Sequence, residues 1–168
     1  MRIRSIVVLA AIAAAALTAS QAQVGTAQKT AAADWPMYNR DLAATRFSPL
    51  TQINARNVSR LIQSWTYKTG KNASAGISGG TEYTPIVVNG MMYVATNRSI
   101  VALEPETGKE LWTYEVKNDS PTRRAVAFWP GDAVNPPRIF FTTGQKLVAL
   151  SAHTGEAVSA FGAQGEVD

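Results

Sequence analysis

The sequence contains no cysteine and a single histidine. The first absence excludes disulfides, thiolate zinc sites, a cysteine nucleophile and lipid attachment at an N-terminal cysteine. The second leaves little from which to build a catalytic triad or a histidine-rich metal centre, and His153, between Ala152 and Thr154, stands in a turn pattern where an exposed role is expected. Runs of like charge are also missing. Sixteen basic residues against twelve acidic ones give a formal charge of +4, spread along the chain. That is not the footprint of a nucleic-acid binder, and no nucleic-acid partner is expected. No apolar run reaches the roughly 20 residues that a membrane-crossing helix needs. The longest, Ile6 to Leu17, follows Arg2 and Arg4 and precedes Ser20-Gln21-Ala22. This is the order of an export signal, with cleavage expected after Ala22 and Ala27 as a second candidate site. Its removal takes away two arginines and no acid, leaving a charge of +2. Long helical periodicity is the last absence, which points to an all-β chain.

What is present begins with a small, polar leader over residues 23–33. From Asp34 the texture changes to "DWPMYNRDLAATRFSPLTQINARNVSRLIQSWTYKTG", where Asn54 to Leu61 suits a short helix and Ile62 to Tyr67 a strand. A Gly/Ser/Asn/Ala loop follows over 70–80. "TPIVVNGMMYVAT" is two apolar runs joined by Asn89-Gly90, a strong hairpin signal because both central residues of that turn need positive φ. "SIVAL" and "ELWTYEV" then flank the tight turn Glu106-Thr107-Gly108, completing a four-stranded antiparallel meander. A second meander reads "AVAFW", "RIFFTT", "KLVAL", "AVSAF", with "PGDAVNPP" in place of the Asn-Gly turn.

The two meanders are copies. Ala102 and Ala149, Thr107 and Thr154, Gly108 and Gly155 are each 47 positions apart, as are Trp65-Thr66-Tyr67 and Trp112-Thr113-Tyr114. Four-stranded units at a period of about 40 to 50 residues point to a β-propeller, whose blades bury their faces on one another. The chain thus holds one final strand and two whole units. A propeller typically needs about 4 to 8 blades, so residues 34–168 are read as an incomplete propeller: a fragment, a truncated product or part of an assembly.

The stretch Ala-x-x-x-x-Thr-Gly-Lys-Glu-x-Trp at Ala102 to Trp112 resembles the tryptophan-docking repeat of the pyrroloquinoline quinone (PQQ) dependent alcohol and glucose dehydrogenases. "DWPMYNRDLAATRFSPLTQINARNVSRL" is similar to the mature N-terminus of that family, "TEYTPIVVNGMMYVAT" to its first complete blade and "RRAVAFWPGD" to its second. "FGAQGEVD" looks most like the glucose-dehydrogenase branch. The resemblance implies that Trp65 and Trp112 pack over the Thr-Gly turns of neighbouring blades, Thr107-Gly108 and Thr154-Gly155. Glu104 and Ser151 stand where Asp is usual, and Ser159 replaces the next Trp, so docking at the last unit is expected to be weaker.

The same resemblance carries two cofactor contacts. Glu82 matches the family's acidic residue that hydrogen-bonds PQQ, and Arg124 matches the arginine that holds its oxygens. PQQ is a planar tricarboxylate with paired quinone oxygens, which a guanidinium fork can bind at two points. A carboxylate beside carboxylates would repel, so Glu82 would accept from a ring N–H or carry a proton itself. Without the resemblance, both residues read as solvated surface charge, the reading kept for Arg123. Asp119 and Asp132 lie in loops and match no catalytic position. The family's Ca²⁺ ligands and catalytic aspartate are expected outside this chain, which by itself should not catalyse.

What the resemblance implies is oxidation of an alcohol or an aldose sugar, with electrons passing to ubiquinone or a cytochrome. The absence of a vicinal cysteine pair before Arg124 points away from the methanol-oxidising type. A signal without transmembrane helices implies a periplasmic protein, with the inner-membrane surface as a site of association. The remaining blades would be its structural partners. The rival class is a non-enzymatic scaffold of the same repeats, of the kind that assembles outer-membrane proteins; such scaffolds have no reason to keep Glu82 and Arg124 in these contexts.

Overall fold

The structure, a computed structural model, describes residues 31–69, 83–122 and 126–168. The expected signal and most of the leader lie outside them. Among the described residues the regular structure is eight strands and one 3-10 turn. The strands are β1 (Ile86–Val88), β2 (Met91–Ala95), β3 (Ser99–Leu103), β4 (Glu110–Glu115), β5 (Ala127–Trp129), β6 (Arg138–Thr143), β7 (Lys146–Ser151) and β8 (Glu166–Val167). They form two four-stranded antiparallel sheets in sequential order, β1-β2-β3-β4 and β5-β6-β7-β8. Local chemistry explains the first connection: Asn89 and Gly90 have φ of 51° and 75°, the pair of positive values that a two-residue hairpin turn requires.

Both faces of the first sheet are apolar, and the pleat sends alternate residues to opposite sides. Ile86, Val88, Tyr93, Ala95, Ile100, Ala102 and Trp112 join Ile139, Phe141, Val148 and Leu150 of the second sheet in one buried cluster. Val94, Val101 and Leu103 point the other way and are covered by Trp65, Tyr67 and Tyr83. A sheet buried on both faces is what a stacked blade needs and what a one-sided sheet does not. The chain is therefore an all-β partial propeller of two blades.

Three expected elements differ. Helix over Asn54 to Leu61 is reduced to the single 3-10 turn Val58–Arg60, which buries no residue and so has no core to stabilise a longer helix. Residues 62–67 enter no ladder among the described residues; Trp65 and Tyr67 instead dock by their side chains. "AVSAF" is not the fourth strand of the second sheet. Only Ala157 bridges to Leu150, the chain then turns away, and β8 returns to pair with Leu147 and Val148. The physical reason lies at Ser159, which stands where Trp112 stands in the first sheet and has no large side chain to hold the strand down.

Candidate functional site

The two tryptophans that the repeat singles out occupy the same environment. Trp65 donates its indole N–H to the Pro105 carbonyl at 3.0 Å, and Trp112 donates to the Ala152 carbonyl at 3.1 Å. Each ring lies flat on a glycine: an added Cβ at Gly108 would stand 2.5 Å from Cε3 of Trp65, and one at Gly155 2.5 Å from Cε3 of Trp112. Both glycines have φ above 70°, so the position needs glycine twice over, for its backbone and for the ring it carries. Thr107 and Thr154 shape the turns, their hydroxyls accepting from the backbone N–H groups of Lys109 and Glu156 at 3.1 and 3.4 Å.

Two contacts at these junctions are not legible from the repeat. Tyr93 donates its phenol to the same Ala152 carbonyl at 3.3 Å, and its ring lies 5.9 Å from that of Trp112. Burial pushes its pKa up to about 12. Its counterpart 47 positions on is Phe140, which has no hydroxyl, so the repeat gives no hint of the second bond. Tyr67 donates to Glu110 at 2.6 Å, and burial followed by this carboxylate raises its pKa to about 12. The negative charge of Glu110 disfavours a phenolate beside it.

Glu82 and Arg124 both lie outside the described residues. Their neighbours are described, and they fix where the two chain segments enter. Tyr83 donates its phenol to Asn97 Oδ1 at 3.1 Å, in the turn between β2 and β3. Pro121 bridges to Thr143 at the end of β6, and Thr122 N–H donates to the Thr142 carbonyl at 2.9 Å. In an antiparallel meander the first strand begins at the end where the second and third strands turn. Both segments therefore lead into the first strand of their sheet, at that end, on two sheets packed face to face. From Pro121 to Ala127 the chain advances six residues while its partner β6 advances three, from Thr143 to Phe140.

A cleft of about 570 Å³ opens at the ends of the two sheets, floored by Tyr114, Phe141 and Val148, with Lys117, Asp119 and the Lys146–Glu166 pair on its walls. That ion pair, 2.7 Å apart, joins β7 to β8. The loop aspartates have structural work. Asp132 accepts from the backbone N–H groups of Val134 and Asn135, both at 2.8 Å, which with the Asn135 side chain holds its carboxyl below the usual range. Asp119 accepts from the Ser120 N–H at 2.7 Å. His153 is exposed in the turn after β7. No three His, Cys, Asp or Glu side chains among the described residues are grouped to hold a metal ion.

Comparison with known proteins accounts for the docked pair of sheets. Residues 35–168 match the PQQ family described as the glucose/ethanol/alcohol dehydrogenase β-propeller domain. The chain is 33% identical to quinoprotein glucose dehydrogenase A of Acinetobacter calcoaceticus over 89% of its length and 21% of that protein. It is 38% identical to the dehydrogenase subunit of a quinone-linked alcohol dehydrogenase of Gluconobacter oxydans, over 74% of this chain and 16% of that protein. Among solved structures it superposes on a europium-containing methanol dehydrogenase with a TM-score of 0.58 and 32% identity, covering 74% of this chain and 22% of the other. The chain thus spans about one-fifth of the length of such relatives. With its tryptophans seated on paired Thr-Gly turns and its match running from Trp35 to Asp168, this chain belongs to the β-propeller family of the PQQ-dependent dehydrogenases.

Proposed function

We propose that the chain forms the first blades of a periplasmic PQQ-dependent dehydrogenase that oxidises an alcohol or an aldose and passes the electrons to a quinone or a cytochrome. The observation that carries this reading is positional. The residues that match the family's cofactor contacts, Glu82 and Arg124, immediately precede the segments that enter the first strands of two docked sheets, at the end of each sheet where those strands begin. When bound, PQQ supplies the two-electron acceptor. Arg124 would bind its oxygens at two points with its charge retained. Glu82 would accept a ring N–H or, protonated, donate to the cofactor. The Ca²⁺ that polarises the quinone in this family is assigned to residues elsewhere, as is the base that removes the substrate proton.

On this reading the 168-residue chain alone does not turn over, because it holds one side of the cofactor only. The test uses the native periplasmic product, unfolded thermally with and without PQQ and Ca²⁺. A rise in melting temperature with cofactor, lost in Arg124→Ala and retained in Arg123→Ala, is expected. Absence of any shift in the parent protein would sink the reading and favour a non-enzymatic scaffold.

A further inference from the structure

Residues 62–69 stand to the first sheet as β4 stands to the second. Val94, Val101 and Leu103 meet Trp65 and Tyr67, and their counterparts 47 positions on, Phe141, Val148 and Leu150, share one cluster with Trp112 and Tyr114. The indole hydrogen bonds match within 0.1 Å, at 3.0 and 3.1 Å, and the glycine seats match at 2.5 Å. Exposure alternates from Trp65 to Thr69, the period of two that belongs to extended chain. One feature separates the two segments. The backbone of β4 is paired along its length to β3, whereas no backbone N–H or carbonyl of residues 62–69 has a backbone partner among the described residues. Ile62, on the face away from Trp65, is 90% exposed.

We propose that residues 62–68 are an acceptor edge, held in strand geometry by Trp65 and Tyr67 and ready to take one antiparallel strand. Its occupant is a strand of the β3 type, followed by a Thr-Gly turn. The chain's own repeat specifies the chemistry: β3 places Ala102 opposite Trp112 and Ser99 opposite Glu115. Transposed by 47 positions, a small residue faces Trp65 and the strand's first residue faces Lys68. Like charges directly opposite destabilise a sheet, so the occupant begins with a neutral or acidic residue, not a basic one. This inference does not rest on the cofactor reading; it needs only the repeat and the docked tryptophans.

The probe is a fluorescein-labelled peptide copying Ser99 to Gly108, SIVALEPETG, titrated with the 168-residue chain. Saturable binding is expected, together with slowing of amide exchange over Gln63 to Lys68 by about tenfold or more. Alternate N–H groups of a strand point to opposite edges. Of two peptides, one N-methylated at Ile100 and Ala102 and the other at Val101 and Leu103, only one should lose binding. A peptide copying Lys146 to Gly155 sets Lys against Lys68 and should bind more weakly, with the gap closing in Lys68→Glu. No binding of SIVALEPETG, or equal binding of both methylated forms, overturns the proposal. So does protection of Gln63 to Lys68 that rises with protein concentration alone, which would give the edge to a second copy of the chain.

Discussion

Gly155 and Gly90 have almost the same backbone, with φ of 73° and 75°, and opposite surroundings. Beyond Gly155 stands the ring of Trp112; beyond Gly90 nothing lies within 4 Å. Alanine at either position bears the left-handed backbone penalty, about 1 kcal/mol. At Gly155 it must also push the indole off its seat and stretch the bond to Ala152, so a total cost of about 2–4 kcal/mol is expected. Urea unfolding of Gly90→Ala and Gly155→Ala measures the difference directly. Equal costs would show that Trp112 is not locked on the turn. The pairing of Trp with Thr-Gly is legible in the sequence because it recurs at a fixed interval. Tyr93, which shares the Ala152 carbonyl, is not, because a residue that fits the alternation of a strand gives no sign of where its hydroxyl ends.

At the scale of elements the two sheets part company in their fourth strand. β4 runs unbroken from Glu110 to Glu115, with one irregularity between Ala102 and Leu103 of its partner. In the second sheet the same place is filled by two pieces that meet at Ala149. Its carbonyl accepts from the Val158 N–H, and its own N–H donates to the Gly165 carbonyl, both at 2.9 Å. The residues between form a turn closed at Gly162, where an added Cβ would stand 2.1 Å from the Glu166 carbonyl oxygen. Alternation in "AVSAF" suggests a strand, yet periodicity reports only which faces are apolar and cannot say where a chain leaves the ladder. The Asn-Gly hairpin is legible because its turn chemistry is local. Gly162→Ala is expected to free β8 and speed amide exchange at Glu166 and Val167 by about tenfold or more, with β4 unchanged. If β4 exchanges faster as well, the two edges are coupled and the second sheet is not split as described.

For the whole molecule the deciding fact is that one apolar cluster spans both sheets. Phe141, 1% exposed, reaches from β6 to meet the edge of Tyr114 at 5.9 Å, while Tyr93 lies 6.4 Å from Phe128 across the same gap. The incomplete propeller is legible from the repeat length, because the period counts strands per blade. The course of residues 34–61 is not, since their apolar side chains, Leu42 at 95% exposure and Phe47 at 66%, follow no period and are not drawn into the described core. Neither sheet has a second apolar interior of its own, so the two should unfold together. Phe141→Ala removes a ring from the shared interface and is expected to cost about 3–5 kcal/mol, a large part of the stability of any small domain. Far-UV dichroism reports the strands of both sheets, and near-UV dichroism of Trp112 and Tyr93 reports the packing of the first. In the parent the two signals should fall at one temperature, and in Phe141→Ala at one lower temperature. Two separated transitions would mean that each sheet is stable alone, and that the tryptophan seats align blades without holding them together.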